Sequence, residues 1–131
     1  MLTNLLLVAL GGGLGAAGRW LLSLAPFPAA FPFATLLTNF LGAAVIGAIA
    51  ALAERSALPA PAVLFLKTGV CGGFTTFSTF SLEAVGLLES GQWLKGGGYV
   101  LASVALCLAG VVLGRAGVVL GRALVRSLAP V

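Results

Sequence analysis

Residues Gly69-Val70-Cys71-Gly72-Gly73-Phe74-Thr75-Thr76-Phe77-Ser78-Thr79-Phe80-Ser81 set glycines, hydroxyls and regularly spaced phenylalanines inside an otherwise apolar stretch. These residue types do not build a hydrolytic or redox centre. The chain has no His and only three acidic residues, and its two cysteines, Cys71 and Cys107, form no Cys-x-x-Cys pair. A zinc or thiol-redox site is therefore not indicated, and the thiols read as small buried apolar groups. What such a stretch can do is handle a small ion. Backbone at membrane depth must satisfy its own hydrogen bonds, so a glycine-weakened helix there normally lines a protein cavity or an ion site. Phe77 and Phe80 are three apart and share a helical face. The edge of a ring is electropositive, and two rings presented edge-on can accept a partly dehydrated anion without binding it too tightly. Carbonyls released by the break could coordinate a cation. The competing reading of the two rings is ordinary packing; the neighbouring Thr75, Thr76, Ser78 and Thr79 weigh against it.

A second group of residues could join this stretch. Arg19 stands near the end of the first apolar segment, where a charge is expensive to keep; it is read as a structural anchor for helix-end carbonyls or an attractor of anions to a pore mouth, with Thr76 and Thr79 in the same class. Asn39 lies in Thr35-Leu36-Leu37-Thr38-Asn39-Phe40-Leu41-Gly42. Its amide can donate to an anion or bridge two helices, while Thr35 and Thr38 can bond back to their own helix. Glu83 falls about one turn beyond Phe80, in reach of a vestibule, and Glu89 reads as interfacial. Tyr99, Ser103 and Cys107 follow at steps of four, a weakly polar stripe that either flanks the aromatic path or packs between helices.

The elements that must position these residues are transmembrane helices. The chain has 131 residues, 60% hydrophobic and 8% charged, with mean hydropathy +1.18. A soluble domain of this size cannot hide so much apolar surface. A helical span takes about 20 apolar residues, and the segments are too continuous for the alternation of a membrane β-barrel. The expectation is one all-α domain over residues 1–131 with four spans, at about 2–24, 33–53, 62–89 with a break near 72–76, and 93–124. Proline clusters around Pro26, Pro28 and Pro32, and again at Pro59 and Pro61, separate the first three. The start Met1-Leu2-Thr3-Asn4 lacks a basic n-region, which favours a retained helix over a cleaved leader.

The net charge is +4, but the basic residues are scattered or at helix ends, which argues against nucleic acid as a partner. The last helix repeats Val111 to Ala116 as Val118 to Ala123, placing Arg115 and Arg122 on one face with Arg126 a turn further; this reads as a snorkelling stripe facing lipid phosphate. With four spans both termini share a side with Arg55 and Lys67, and the positive-inside rule favours that side as cytoplasmic, while so small and sparsely charged a chain could also insert both ways. Small-xxx-small glycines on every span allow close helix approach. Four helices enclose little more than their own side chains, so a conduction path implies a second copy.

At these residues the chain resembles the Fluc (CrcB) family of fluoride channels. The resemblance runs through Gly11-Gly12-Gly13-Leu14-Gly15-Ala16-Ala17-Gly18-Arg19-Trp20, through Thr35 to Gly42, and through Gly72-Gly73-Phe74-Thr75-Thr76-Phe77-Ser78-Thr79-Phe80, the last being the most specific. It implies an antiparallel, dual-topology homodimer in the cell (inner) membrane, a multi-pass channel rather than an enzyme, exporting fluoride passively from the cytoplasm and lowering its toxicity. It further implies a structural sodium ion at the dimer centre, not transported, held by the backbone carbonyls of Gly72 and Thr75 from both copies. The fluoride path would use Phe77 and Phe80 as ring-edge contacts, Asn39 as amide donor, and Ser103 with Tyr99 before it. The chain departs from the family pattern at Ala34, where glycine is usual, and at Cys107 and Val111, where relatives often continue hydroxyls. A small multidrug-type exporter would need an embedded acid in helix one, where only Arg19 is charged. A bare membrane scaffold would leave the Thr/Ser/Phe cluster without a reason.

Overall fold

The computed structural model describes residues 1–128. Within them the chain is all-helical, with four segments long and apolar enough to cross a membrane: Leu2–Ser23, Phe33–Ala53, Ala60–Glu89 and Trp93–Leu128. We label them α1 (Leu2–Ser23), α2 (Phe33–Ala53), α3 (residues 60–74), α4 (Phe77–Glu89) and α5 (Trp93–Leu128), with α3 and α4 the two halves of the third span. Pro59 caps the start of α3 and Pro61 sits in its first turn, where a missing amide costs the helix nothing. The tight reversal between α4 and α5 passes through Gly91, at φ 77°, a left-handed conformation that glycine adopts without strain.

Two helix pairs are drawn together until their backbones touch. Between α1 and α3, a methyl added at Gly11 would meet Phe65 O at 2.6 Å and Gly69 Cα at 2.9 Å, and one added at Gly15 would meet the Phe74 amide at 2.7 Å. Between α2 and α5, a methyl at Gly47 would meet Val111 Cα at 2.9 Å and one at Gly110 would meet Phe40 O at 3.0 Å. In lipid there is no hydrophobic force between helices, so close van der Waals approach of this kind is what holds them. The buried side-chain core is correspondingly small: Phe80, Ala84 and Tyr99, backed by Phe31, Leu36, Leu87 and Val100. Large apolar residues are exposed along every span, the inverse of a soluble fold.

The third span differs from the sequence expectation in three respects. Regular helix starts at Ala60 rather than 62, and residues Leu64–Cys71 widen into π-helical turns before α-helix resumes over Gly72–Phe74. The unwinding is confined to Thr75 and Thr76 and does not begin at Gly72; both Gly72 and Gly73 are helical. Two glycines of this stretch serve packing instead: Gly69 lies against Gly11, and Gly73 against Gly12. The last helix also continues past 124, to Leu128.

Candidate ion site at the interrupted third span

Thr75 (φ −76°, ψ 155°) and Thr76 (φ −148°, ψ 111°) are extended, and side chains replace the helical ladder around them. The Thr75 amide and hydroxyl both donate to Cys71 O, at 3.0 and 2.9 Å. The Thr76 amide donates to Asn39 Oδ1 at 2.8 Å, and Asn39 Nδ2 donates back to Thr76 O at 3.0 Å. Asn39 thus acts on Thr76 as a neighbouring strand would. Thr76 Oγ1 accepts from the Thr79 amide at 3.2 Å and donates to Thr79 Oγ1 at 2.9 Å, a hydroxyl N-cap that starts α4.

Those bonds have a consequence for the carbonyls. In an uninterrupted helix Gly72 O would accept from the Thr76 amide and Thr75 O from the Thr79 amide. Both amides are committed elsewhere, to Asn39 and to Thr76 Oγ1, so both carbonyls are released from the ladder. Gly73 O receives Arg19 Nε at 3.3 Å, which sets a guanidinium at the negative, carboxyl-terminal end of α3. Gly72 is exposed, and a methyl built on it meets nothing within 4 Å. Among the described residues no cluster of His, Cys, Asp or Glu could hold a metal ion; a cation at this place would be held by neutral oxygens.

Beside the break runs an open groove of about 440 Å³ whose lining includes Asn39, Thr75, Phe77, Phe80, Ser103 and Cys107. The Phe77 and Phe80 ring centroids are 5.3 Å apart at 49°. The two rings differ in setting: Phe80 is 8% exposed, whereas Phe77 stands out at 77%. Gly42 leaves room for the Thr75 methyl. Ser103 Oγ is buried without a hydrogen-bond partner, which is unusual for a buried hydroxyl. Cys107 and Val111 continue the groove wall beyond it.

Tyr99 and Glu83 belong to a different compartment. Tyr99 is fully buried, does not line the groove, and donates its hydroxyl to Glu83 Oε2 at 2.7 Å. Its ring backs Phe80 (centroids 5.2 Å) and meets Phe31 edge-on (5.4 Å, 83°). Glu83 Oε1 accepts from Thr35 Oγ1 at 2.8 Å. Thr35, read from sequence as bonding within its own helix, instead reaches across to α4. A four-residue step to Asn39 on the same α2 face was the available signal. Arg19, Thr35, Thr38, Thr76, Thr79 and Glu83 share a polar cleft of about 340 Å³ on that side. The break therefore separates a polar cleft from an aromatic groove free of ionisable acids and bases other than a thiol.

The family model described as "CrcB-like protein, Camphor Resistance (CrcB)" matches residues 6–115. A protein of Shewanella sp. (strain ANA-3) named fluoride-specific ion channel FluC is 44% identical over 109 residues, 81% of this chain and 88% of its own. Proteins of the same name are 46% identical over 109 residues in Shewanella frigidimarina and 46% over 104 residues in Chlorobium chlorochromatii, the latter covering 77% of this chain and 81% of that one.

Proposed function

Because the chain belongs to the CrcB family, a family of ion channels and not of enzymes, we propose that it is a fluoride-selective channel that passively exports fluoride from the cytoplasm across the cell (inner) membrane. The observation that carries this reading is the groove beside Thr75 and Thr76. Its lining sets Asn39, Thr75 and Ser103 beside the Phe77 and Phe80 rings and includes no carboxylate to repel an anion. Fluoride is small and strongly hydrated, so a selective path must replace its water with donors yet hold it weakly enough to release it. Asn39 keeps a second amide hydrogen beyond the one given to Thr76 O. Ser103 Oγ has a proton with no acceptor. Phe80, packed against Tyr99, is fixed in orientation, and Phe77 faces outward. Tyr99 contributes by holding Phe80 and Glu83 rather than by lining the groove. Glu83 is tied by two donors in the adjoining cleft, where Arg19, Thr76 and Thr79 form a mouth that draws anions in.

The functional unit in this reading is an antiparallel, dual-topology homodimer. The outward setting of Phe77 and Gly72 and the openness of the groove beside them support it. The released carbonyls of Gly72 and Thr75 suit a sodium ion, since hard cations take oxygen ligands and two copies would bring four. Bound there, sodium would supply fixed charge that pins the copies together; it is a structural partner and not cargo.

The test is Phe80→Ile in proteoliposomes. Fluoride efflux measured by electrode falls at least about tenfold, the range of one lost interaction of ~1.4 kcal/mol or more, while size-exclusion chromatography still reports the wild-type oligomer. Unchanged efflux would remove Phe80 from the path.

A further inference from the structure

The charges of this protein are divided unequally between its two ends. Arg19, Lys95, Glu83 and Glu89 belong to the end bearing the α1–α2 and α4–α5 connections and cancel. The other cations, Arg55, Lys67, Arg115, Arg122 and Arg126, gather at the end where α2 finishes, α3 begins and α5 emerges, against one acid, Glu54. The whole formal charge of +4 therefore resides at one end. Glu54 is already taken: Arg115 grips it with both guanidinium nitrogens, at 2.9 and 2.7 Å. That hydrogen bond, with Arg55 and Lys67 nearby, holds the Glu54 carboxyl below the usual carboxylate range. Among the described residues, no acid pairs with Arg55, Lys67, Arg122 or Arg126.

Past the Glu54–Arg115 pair, α5 runs on as residues 116–128, beyond the segment matched by the family model. At ~1.5 Å per residue the overhang is about 20 Å long. Every residue from Val119 to Leu128 is exposed. At about 100° per residue Arg115, Arg122 and Arg126 fall within one narrow arc, and Leu113, Leu120, Leu124 and Leu128 fall on the opposite face. Side chains of a helix tilt toward its N-terminus, which for α5 is the direction of the membrane, so Arg122 and Arg126 aim back toward the headgroup layer. At the same end a cleft of about 510 Å³ is lined by Ser56, Lys67 and Thr68 and by apolar Leu58, Val63 and Leu64.

From this juxtaposition we infer that the terminus-bearing end is a docking surface for anionic phospholipid, with the α5 overhang and Lys67 as its cationic contacts. Charge complementarity selects the occupant: cations without acids, on a helix that is still apolar on its far face, match phosphate on acyl chains. A soluble acidic protein would leave the leucine face uncovered. The inference is independent of which ion the channel carries.

The full chain is reconstituted in nanodiscs of mixed phosphatidylglycerol and phosphatidylcholine, and the lipid retained after detergent extraction is identified by mass spectrometry. The wild type retains phosphatidylglycerol preferentially. Arg122→Gln/Arg126→Gln weakens that retention by about thirtyfold, as two surface arginines at ~1 kcal/mol each would give, and Arg122→Lys/Arg126→Lys preserves it. Fluoride efflux and oligomeric state of the Gln variant report that it is folded. Equal retention of the two lipids by the wild type, or undiminished preference in the folded Gln variant, overturns the inference. So does displacement of the lipid by millimolar inorganic phosphate, which would mean a site for free phosphate.

Discussion

Asn39 and Thr76 bond to each other twice, and this pair is the smallest unit on which the site depends. Its geometry explains why residue type alone left Asn39 with two readings, since an amide donates as readily to an ion as to a backbone carbonyl. The pair shows that one amide hydrogen and the carbonyl oxygen are structural. Removing them by Asn39→Ala orphans a buried amide and a buried carbonyl, each costing ~1–3 kcal/mol. We expect about 2–6 kcal/mol of lost stability, visible as a lower thermal transition of the purified protein in detergent. A transition unmoved by Asn39→Ala would mean that the clamp does not hold the break. Thr35 was legible only as a hydroxyl; its bond to Glu83 crosses from α2 to α4, a tertiary pairing that no local pattern encodes.

At the scale of elements, the four spans could be read from hydropathy and proline placement because lipid imposes length and continuity on every helix. The interruption in the third span was legible as a region, but its cause was not. Glycines suggested the weak point, whereas the unwound residues are two threonines whose amide and hydroxyl bonds replace the ladder. The π-helical turns of Leu64–Cys71 lie where α1 packs on Gly69 and the Phe65 backbone, a tertiary contact. The two adjacent glycines should accordingly behave differently. Gly73→Ala places a methyl on Gly12 and is expected to cost ~1–3 kcal/mol through overpacking between α1 and α3. Gly72→Ala meets open space in the protomer, so monomer packing survives it, and any defect should appear in dimer dissociation alone. Equal losses of protomer stability from the two substitutions would contradict this division of roles.

For the whole molecule, the apolar exterior describes a chain whose faces are covered by lipid, and the open groove beside Thr75 is where the proposed second copy would sit. Charge adds polarity to that picture, since the terminus-bearing end carries the entire net charge. In an antiparallel pair each leaflet would meet one such end. The small side-chain core, with Phe80 and Tyr99 at its centre, ties the groove wall to buried packing, so the candidate site and the fold share residues. Composition made the membrane assignment legible, and the Gly72-to-Phe80 string made the family legible. The partition into polar cleft and aromatic groove came only with the side chains in place. The central claim is passive, selective conduction of fluoride, and it is tested most directly by an electrode measurement on liposomes containing the purified protein, loaded with fluoride or chloride and held without a proton gradient. The account predicts rapid fluoride release and retention of chloride. Silence from folded, dimeric protein, or chloride leaving as fast as fluoride, would contradict it.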